Sequence, residues 1–289
     1  MNGHHLATYL ARLESWHHIM DRPRVISMEV SANSRSDCHF RIRVGRSAKY
    51  ITVKSGALDA ETLDDMPLEF ENILPPMQYS SSLWKSAAMS RNPATHHLEA
   101  TFSSADMPEV KSIWNPQLID CFDIERTEFL TLLTQECKWA TRTDPQVMVA
   151  KMARFYWEIP YIEAETQMYQ VLDGRGIAPK FLGHIHEEGR VMGILLEKVT
   201  DGRPAAPADL GRCTVALSRF HALGYLHGDC NKYNFIIRPD DTVVLIDFER
   251  ATKCDDTALI EKEMASLESQ FADTTGRGGG LMTAEDSEL

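Results

Sequence analysis

The chain contains 289 residues, of which 43% are apolar and 25% are charged. These proportions are typical of soluble globular proteins, so they exclude a collagen-like, low-complexity or mainly disordered chain. Thirty basic residues stand against 42 acidic ones, which gives a formal net charge of -12. A chain this acidic is a poor non-specific binder of nucleic acid or anionic membranes, because both attract positive surfaces.

The charge is unevenly distributed, because residues 1–120 hold 12 basic and 14 acidic groups and residues 121–289 carry the remaining net charge of -10. Six cysteines are scattered without a Cys-x-x-Cys pair, which is typical of reduced intracellular thiols. The sequence has no apolar run of about 18 residues and no pattern of a secretory signal. We therefore expect a cytoplasmic or nuclear protein that is neither secreted nor inserted in a membrane.

Residues 1–116 predict an N-terminal extension made of a helix, a β-meander and a loop. Apolar residues at helical spacing predict the helix over 5–19. Alternation of apolar and polar residues predicts three strands within 24–54. The segment 72–116 contains two adjacent prolines and a serine triplet, so it predicts a long connection or a loosely structured subdomain.

A strip of eight basic residues and two acids extends from Arg22 to Lys54, and we call it the basic strip. An acidic run over 59–71, with no basic residue, follows it. One interpretation is a face for phosphate or RNA that the acidic run masks. The favoured interpretation is a solvated face of the sheet, so nucleic acid is the less favoured partner.

From residue 117 onwards, strand and helix patterns alternate. Apolar runs predict three strands, over 129–133, 137–143 and 147–153. A helix over 160–173 and a strand hairpin are expected next. The remaining expected elements are a helix over 208–227, two short strands around Asp240-Asp241, a helix over 256–271 and a disordered tail over 273–289.

The segment 227–249 contains the residues that carry chemistry, in the order His-Gly-Asp-Cys-Asn-Lys-Tyr-Asn and then Leu-Ile-Asp-Phe-Glu. Asp229 and Asn234 are five residues apart, and Asp247 follows 13 residues later. This is the spacing of a kinase catalytic loop and its metal-binding aspartate. Phosphoryl transfer needs a carboxylate that accepts the proton of a hydroxyl, for which Asp229 is the candidate. It also needs oxygen ligands for Mg²⁺, for which Asn234 and Asp247 are the candidates.

An upstream lysine and glutamate complete this pattern. Lys151 lies inside the apolar run 147–153, where an unpaired ammonium group would be costly. The next helix offers Glu163 and Glu165, and Glu165 is favoured because it shares a helix face with apolar residues. Lys151 is thus the candidate contact for nucleotide phosphates, and Glu165 is the candidate partner that holds it.

Each of these residues also has a simpler interpretation. Asp229 and Asn234 could be turn formers whose side chains bond the backbone and have no catalytic role. Lys151 could be a solubilising residue of an edge strand. Glu165 could be one of several surface acids of its helix. Four separate features nevertheless occur in the order of a kinase, which favours the catalytic interpretation.

With these motifs, residues 117–272 resemble the protein-kinase-like superfamily. His227-Gly228-Asp229 and Asp247-Phe248-Glu249 stand where protein kinases have His-Arg-Asp and Asp-Phe-Gly. These variants resemble the aminoglycoside-phosphotransferase, RIO-type and lipopolysaccharide-kinase branches. The segments EAETQMYQVL, GIAPKFLGHIHEEGRVMG and HGDCNKYNFII resemble kinase-like proteins common in filamentous fungi.

The resemblance implies an α+β fold of the bilobal kinase type, with ATP and Mg²⁺ as ligands. Residues 117–199 would form a five-stranded N-lobe, and residues 200–272 a reduced helical C-lobe. By the same analogy, Asn231 would support the Asp229 loop or the transferred phosphate. Glu197 and Val199 would bound the hinge whose backbone meets adenine.

Two departures from the superfamily bear on function. The turn between the first two strands is expected at Thr134-Gln135-Glu136, which has an acid where a glycine-rich loop would hold phosphate. After Asp247 only 42 residues follow, without an Ala-Pro-Glu segment or helices that would dock a peptide. The first departure argues against ATP chemistry, and the second argues against a peptide substrate.

The leading hypothesis is an ATP- and Mg²⁺-dependent phosphotransferase that acts on a hydroxyl group. A small-molecule acceptor is favoured, and a protein acceptor stays open. The absent glycine-rich loop motivates a second hypothesis, a pseudokinase or binding scaffold. A third hypothesis is a kinase fold used for another group transfer, with a nucleotide or RNA substrate bound by the basic strip.

Overall fold

The computed structural model describes residues 22–31, 36–142 and 146–275. The chain divides into two compact units, Met1–Met107 and Pro108–Leu289. The predicted helix over 5–19 and residues 276–289 of the predicted tail lie outside the described residues. Among the described helices, none is both long and apolar enough to cross a bilayer.

Among its described residues, 22–31 and 36–107, the first unit contains a five-stranded sheet and one helix. Its elements are β1 (Arg24–Glu29), β2 (Cys38–Val44), β3 (Ser47–Val53), α1 (Ala60–Ile73), β4 (Ser86–Arg91) and β5 (Leu98–Ser103). The strands are ordered β1-β2-β3-β4-β5. All neighbours are antiparallel except β3 and β4, which are parallel because α1 provides the crossover between them.

The meander expected within 24–54 is present as β1 to β3. The expectation of a long connection or a loosely structured subdomain over 72–116 is wrong for residues 86–103, which are paired in the sheet. Strands β4 and β5 form inside that segment, and α1 covers most of the acidic run. Asp59 caps the helix by accepting a hydrogen bond from Thr62 N at 2.7 Å. Leu63 and Phe70 are seven residues apart and both buried, so α1 presents a short apolar stripe on one side.

The basic strip is not a uniformly solvated face, which corrects the favoured interpretation. As whole residues, Arg41 and Lys49 are only 5% and 6% exposed. Lys49 Nζ donates to Ser81 O at 2.7 Å and to Trp84 O at 2.5 Å, and it lies 4.9 Å from the centroid of the Trp84 ring. At least two of the eight basic residues therefore take part in the packing of the first unit.

The second unit begins with a six-stranded sheet and a helix, where five strands were expected. Their bounds are β6 (Leu118–Asp120), β7 (Ile124–Phe129), β8 (Thr134–Trp139), β9 (Met148–Met152), α2 (Ile159–Leu172), β10 (Phe181–Glu187) and β11 (Arg190–Glu197). The sheet order is β6-β10-β11-β9-β8-β7. The additional strand is β6, which pairs in parallel with β10 at one edge.

The first two strands of this sheet differ from the expectation. The predicted strand over 129–133 and the predicted turn over 134–136 are both wrong, because the turn is Leu130–Leu133. Leu130 N and Thr131 N both donate to Thr134 O, which closes the turn. Glu136 lies on β8 opposite Val149, and its carboxylate forms an ion pair with Lys198.

From Lys198 to the last described residue, Thr275, the second unit contains two helices and two small sheets. Its elements are β12 (Arg203–Pro204), α3 (Leu210–His221), β13 (Tyr225–Leu226), β14 (Phe235–Ile237), β15 (Val243–Leu245), β16 (Thr252–Lys253) and α4 (Thr257–Ala272). The small sheets are β12-β14-β15 and β13-β16. The main core joins α2, β11, α3, β14, β15 and α4, so the described chain is a mixed α+β protein with many strands and few helices.

Residues 108–116, which the sequence analysis assigned to the N-terminal extension, lie in the second unit. Val110 is fully buried in the main core of that unit, and Trp114 packs against the same core. Val110 N donates to Val191 O at 2.9 Å. The second unit therefore begins before the strand at Leu118.

Candidate active site

The strand lysine, the helix glutamate and the aspartate that follows β15 meet at one point. Lys151 Nζ on β9 lies 2.5 Å from Glu165 Oε2 on α2 and 2.6 Å from Asp247 Oδ1. The side chains of Lys151 and Glu165 are 9% and 2% exposed, whereas that of Asp247 is 34% exposed. Residues that are 96 positions apart in the chain are thus joined, and Asp247 is the member of the cluster that solvent reaches.

The two carboxylates keep Lys151 charged. Burial acts to lower the pKa of the Lys151 ammonium group, but the charges of Glu165 and Asp247 outweigh it and raise the pKa above its ordinary value. At neutral pH the site therefore contains a fixed positive charge. Burial, and then the charge of Asp247, raise the pKa of the neighbouring Glu249.

Asp247 adopts an uncommon backbone conformation. Its φ of 67° lies in the left-handed region, which costs a non-glycine residue about 1–3 kcal/mol. The next residue, Phe248, is fully buried, with its ring centroid 5.6 Å from those of Tyr169 and Phe220. This packing fixes the backbone on the C-terminal side of Asp247 and holds its carboxylate at Lys151.

The loop before β14 positions the predicted catalytic residues. Asn231 Oδ1 accepts from Tyr233 N at 2.9 Å, which caps the 3-10 turn Lys232–Asn234. Asn231 Nδ2 donates to Asp229 Oδ1 at 3.0 Å. Asn234 Nδ2 donates to the backbone oxygen of Asp229 at 2.9 Å. Both amides thus hold Asp229, while Asp229 Oδ2 and Asn234 Oδ1 take no part in these bonds.

Gly228 is required by the shape of this loop. Its φ is 79°, and a Cβ at this position would lie 2.5 Å from Arg250 O. Gly224 has a similar φ of 80°, but a Cβ there would come no closer than 3.9 Å to Asp255 Oδ1. A side chain at either position would strain the backbone, but only at position 228 would it also overlap a neighbouring atom.

We expect Gly228→Ala to destabilise the protein by about 2–5 kcal/mol, because left-handed strain and overlap with the Arg250 backbone add together. Gly224→Ala is the matched control and should cost only about 1–2 kcal/mol, from strain alone. Urea unfolding of both variants measures the difference. Equal losses would show that the contact with Arg250 is unimportant.

His227 and Cys230 are structural neighbours of Asp229. His227 is completely buried, and its Nε2 donates to Ile246 O at 3.1 Å. Burial lowers the pKa of His227, so its imidazole is neutral. Burial also raises the pKa of the Cys230 thiol. Neither residue has the properties of an acid–base catalyst or a nucleophile at neutral pH.

Glu263 on α4 is a site residue that sequence reasoning missed. Its carboxylate accepts from Gly228 N at 2.6 Å, from His227 N at 2.9 Å and from His221 Nε2 at 2.7 Å. The carboxylate thus supports the backbone immediately before Asp229. One local signal could have revealed it, since Glu263 lies at i-4 and i-8 from the buried Leu267 and Phe271 and shares their helix stripe.

The turn Leu130–Leu133 occupies the position of a glycine-rich loop but contains no glycine. Two of its amides, Leu130 N and Thr131 N, are already bonded to Thr134 O. The turn therefore has fewer free donors for phosphate than an open glycine-rich loop. Glu136 lies on β8, so the acid that was expected within this turn is not part of it.

The predicted hinge follows β11. Glu197 N donates to Lys180 O at 2.9 Å, so this amide is already used. Within the segment bounded by Glu197 and Val199, Val199 is consequently the better candidate donor to adenine. This role stays a prediction, as do the catalytic roles of Asp229, Asn231, Lys151 and Glu165.

The donor set fits Mg²⁺. Asn234 Oδ1 and the second oxygen of Asp247 are hard oxygen donors that would serve as ligands, since Mg²⁺ commonly takes one or two protein ligands together with phosphates and water. Both residues are held by neighbours, Asn234 by Asp229 O and Asp247 by Lys151. When bound, Mg²⁺ would neutralise the charge of the phosphates.

The structure thus brings Lys151, Glu165 and Asp247, three of the residues that the kinase pattern selected, to one place. Residues 203–284 match the model of the lipopolysaccharide kinase (Kdo/WaaP) family, so this part of the chain is similar to that family. The match confirms the predicted resemblance to the protein-kinase-like superfamily. It includes Asp229, Asn234 and Asp247, whereas Lys151 and Glu165 precede it. No curated protein matches the chain at a significant level.

Proposed function

We propose that the chain transfers a phosphoryl group from Mg²⁺-ATP to a hydroxyl group of a small molecule. The observation that carries this proposal is the contact of Lys151 Nζ with both Glu165 and Asp247. It joins a part of the chain outside the family match to a part within it. A charged lysine beside a solvent-reached carboxylate supplies a phosphate contact and a metal ligand at one place.

The remaining roles follow from the hydrogen bonds of the loop. Asn231 holds Oδ1 of Asp229, so the other carboxylate oxygen is the one to accept the proton of the acceptor hydroxyl. Lys151 binds phosphate oxygens, and Glu165 keeps the ammonium group in place. Because the turn Leu130–Leu133 offers few amides, Lys151 and the metal ligands provide most of the phosphate binding.

A small acceptor is favoured by the segment that follows Asp247. Only residues 248–256 separate it from α4, and they contain no Ala-Pro-Glu motif. In protein kinases the activation loop, which carries the phosphorylation site, lies between the metal-binding aspartate and that motif. Glu263 also bonds α4 directly to the catalytic loop, so α4 serves to support that loop.

A thermal-shift titration with Mg²⁺-ATP tests nucleotide binding. At 100 times the Kd, the ligand stabilises the native state by about 2.7 kcal/mol, or roughly 5–10 °C for a domain of this size. We expect this shift for the wild type and the loss of its Mg²⁺-dependent part in Asp247→Asn. Asp240→Asn, in an exposed turn, is the control and should bind like the wild type. No shift at millimolar Mg²⁺-ATP would contradict the proposal and favour another group transfer.

Turnover assays then separate catalysis from binding alone. Radiolabelled ATP is incubated with sugars, nucleosides and amino alcohols, and in parallel with a mixture of unfolded proteins. Transfer to one class of small molecule is the expected result, while transfer to protein alone would overturn the choice of acceptor. Nucleotide binding without transfer to any acceptor would favour a binding scaffold.

A further inference from the structure

The segment 108–117, which we call the strap, lies across α2 without regular secondary structure. Arg190 Nη1 donates to Pro108 O at 3.0 Å and Val110 N donates to Val191 O at 2.9 Å, so the strap is tied to β11 at its start. Gln117 O accepts from His184 N at 2.8 Å, which ties its end to β10. The strap is thus fixed at both ends on the sheet that carries Lys151.

The middle of the strap donates hydrogen bonds to a carboxylate on α2. Glu163 accepts from Lys111 N at 2.6 Å, from Ser112 Oγ at 2.5 Å and from Gln167 Nε2 at 2.8 Å. Gln167 Nε2 also donates to Ser112 Oγ at 3.0 Å. Burial acts to raise the pKa of Glu163, but the hydrogen bonds from Ser112, Lys111 and Gln167 outweigh it and hold the pKa below its ordinary value. Glu163 is therefore an ionised acceptor on the helix.

One turn further along the helix, the strap makes a second attachment. Trp114 Nε1 donates to Thr166 O at 3.1 Å. The Trp114 ring packs on Phe181, with centroids 4.5 Å apart, and meets His184 edge-on at 6.2 Å. The indole is therefore held by β10 while it holds the backbone of α2.

We propose that the strap positions Glu165, and through it Lys151, for phosphate binding. Glu163 and Thr166 lie on either side of Glu165 on the same turn of α2. When both are held, this turn can neither rotate about the helix axis nor shift along it, and the Glu165 carboxylate keeps its position. Neither Ser112 nor Trp114 touches Lys151, Asp229 or Asp247, so they are positioning residues. That Lys151 binds phosphate rests on the proposed function. That the strap determines the positions of Glu165 and Lys151 does not rest on it.

The double variant Ser112→Ala/Trp114→Phe removes the hydroxyl donor to Glu163 and the indole donor to Thr166, while it keeps most of the side-chain volume. The backbone bond from Lys111 N to Glu163 remains, so the attachment is weakened without being abolished. The rate at which an N-hydroxysuccinimide ester acylates Lys151, followed by mass spectrometry, reports whether Glu165 still covers the amine. We expect acylation about 5- to 30-fold faster than in the wild type. KM for ATP should rise by a similar factor, because the phosphate contact is misplaced.

Trp139→Phe and Ser269→Ala make the same chemical changes away from the strap and should leave both quantities unchanged. Glu163→Ala removes the acceptor of the first attachment, so it should raise the Lys151 acylation rate and KM for ATP. Glu163→Gln should raise both quantities less, because its amide oxygen still accepts one hydrogen bond. If the double variant does not fold, Ser112→Ala alone removes one hydroxyl from a half-exposed residue and gives the same readout.

Unchanged Lys151 acylation in the variants, with hydrogen exchange showing that α2 has loosened, would overturn the positioning role. Unchanged exchange in α2 would overturn the attachment itself. The acylation assay needs no nucleotide. Absence of ATP turnover in the wild type would therefore refute the proposed function but leave the acylation evidence for the strap unchanged.

Discussion

Replacing Asp229 by asparagine is expected to lower kcat for phosphoryl transfer by about 10²- to 10⁴-fold, the usual contribution of a general base. Asn231 Nδ2 can still donate to the remaining oxygen, so the loop should keep its shape. Binding of Mg²⁺-ATP should stay within about twofold of the wild type, because Lys151, Asn234 and Asp247 are untouched.

Steady-state kinetics and a nucleotide titration on the same preparation check both parts of this expectation. Asp240→Asn, which replaces a carboxylate in the exposed turn before β15, should have wild-type kcat. Full activity in Asp229→Asn would show that another group accepts the proton. Loss of nucleotide binding together with activity would instead make Asp229 a binding residue.

Replacing Glu263 by alanine is expected to destabilise the protein by about 2–4 kcal/mol. Three donors, Gly228 N, His227 N and His221 Nε2, lose their common acceptor, and each unsatisfied buried donor costs about 1–3 kcal/mol. The Glu263 side chain is 12% exposed, so water recovers part of this loss. The melting temperature should fall by roughly 5–15 °C.

Glu268→Ala, on an exposed position of the same helix, is the control and should change stability by less than about 0.5 kcal/mol. Glu263→Gln should lie between the two, since one oxygen remains as acceptor. Urea unfolding at pH 7 gives all three values. A loss in Glu263→Ala no larger than in Glu268→Ala would contradict the anchoring role.

The same carboxylate gives the anchor a pH dependence. Burial acts to raise the pKa of Glu263, but hydrogen bonds from His221, Gly228 N and His227 N outweigh it and hold the pKa below its ordinary value. A lowered pKa in the folded state means that the stabilisation is complete above the unfolded value and is lost as pH falls through the folded value. The stability gap between the wild type and Glu263→Gln should therefore shrink below about pH 4.5.

The elements that carry the proposed chemistry could be predicted because their patterns are local. Lys151 stands in a short apolar strand, and Glu165 shares a face with the apolar residues of α2. The loop from His227 to Asn234 is a contiguous motif with fixed spacing. In each case neighbouring residues in the sequence contain the information.

Elements at exposed edges were harder to predict. Strand β7 is exposed on both faces along most of its length, so it lacks the alternation that reveals a half-buried strand. Its neighbouring turn contains Leu132, an exposed apolar residue that made the turn resemble a strand. Strand β4 is rich in small residues, which have weak strand preferences.

The supporting contacts could not be predicted because they join distant parts of the chain. Glu263 is 35 residues from Gly228, and Ser112 is 51 residues from Glu163. A single carboxylate on a helix looks the same in sequence whether it faces water or a loop. Only the packed structure shows which backbone amides it meets.

The short strand β6 also bears on how copies of the chain behave in a crowded solution. It pairs with His184, Ile185 and His186 at the outer side of β10, where the backbone would otherwise be open to another strand. Unpaired strand edges are templates for association between chains. The opposite edge, β7, carries the charges of Glu125, Arg126 and Glu128, which disfavour such pairing. Both margins of the sheet are therefore protected against aggregation, one by an edge strand of only three residues and the other by charge.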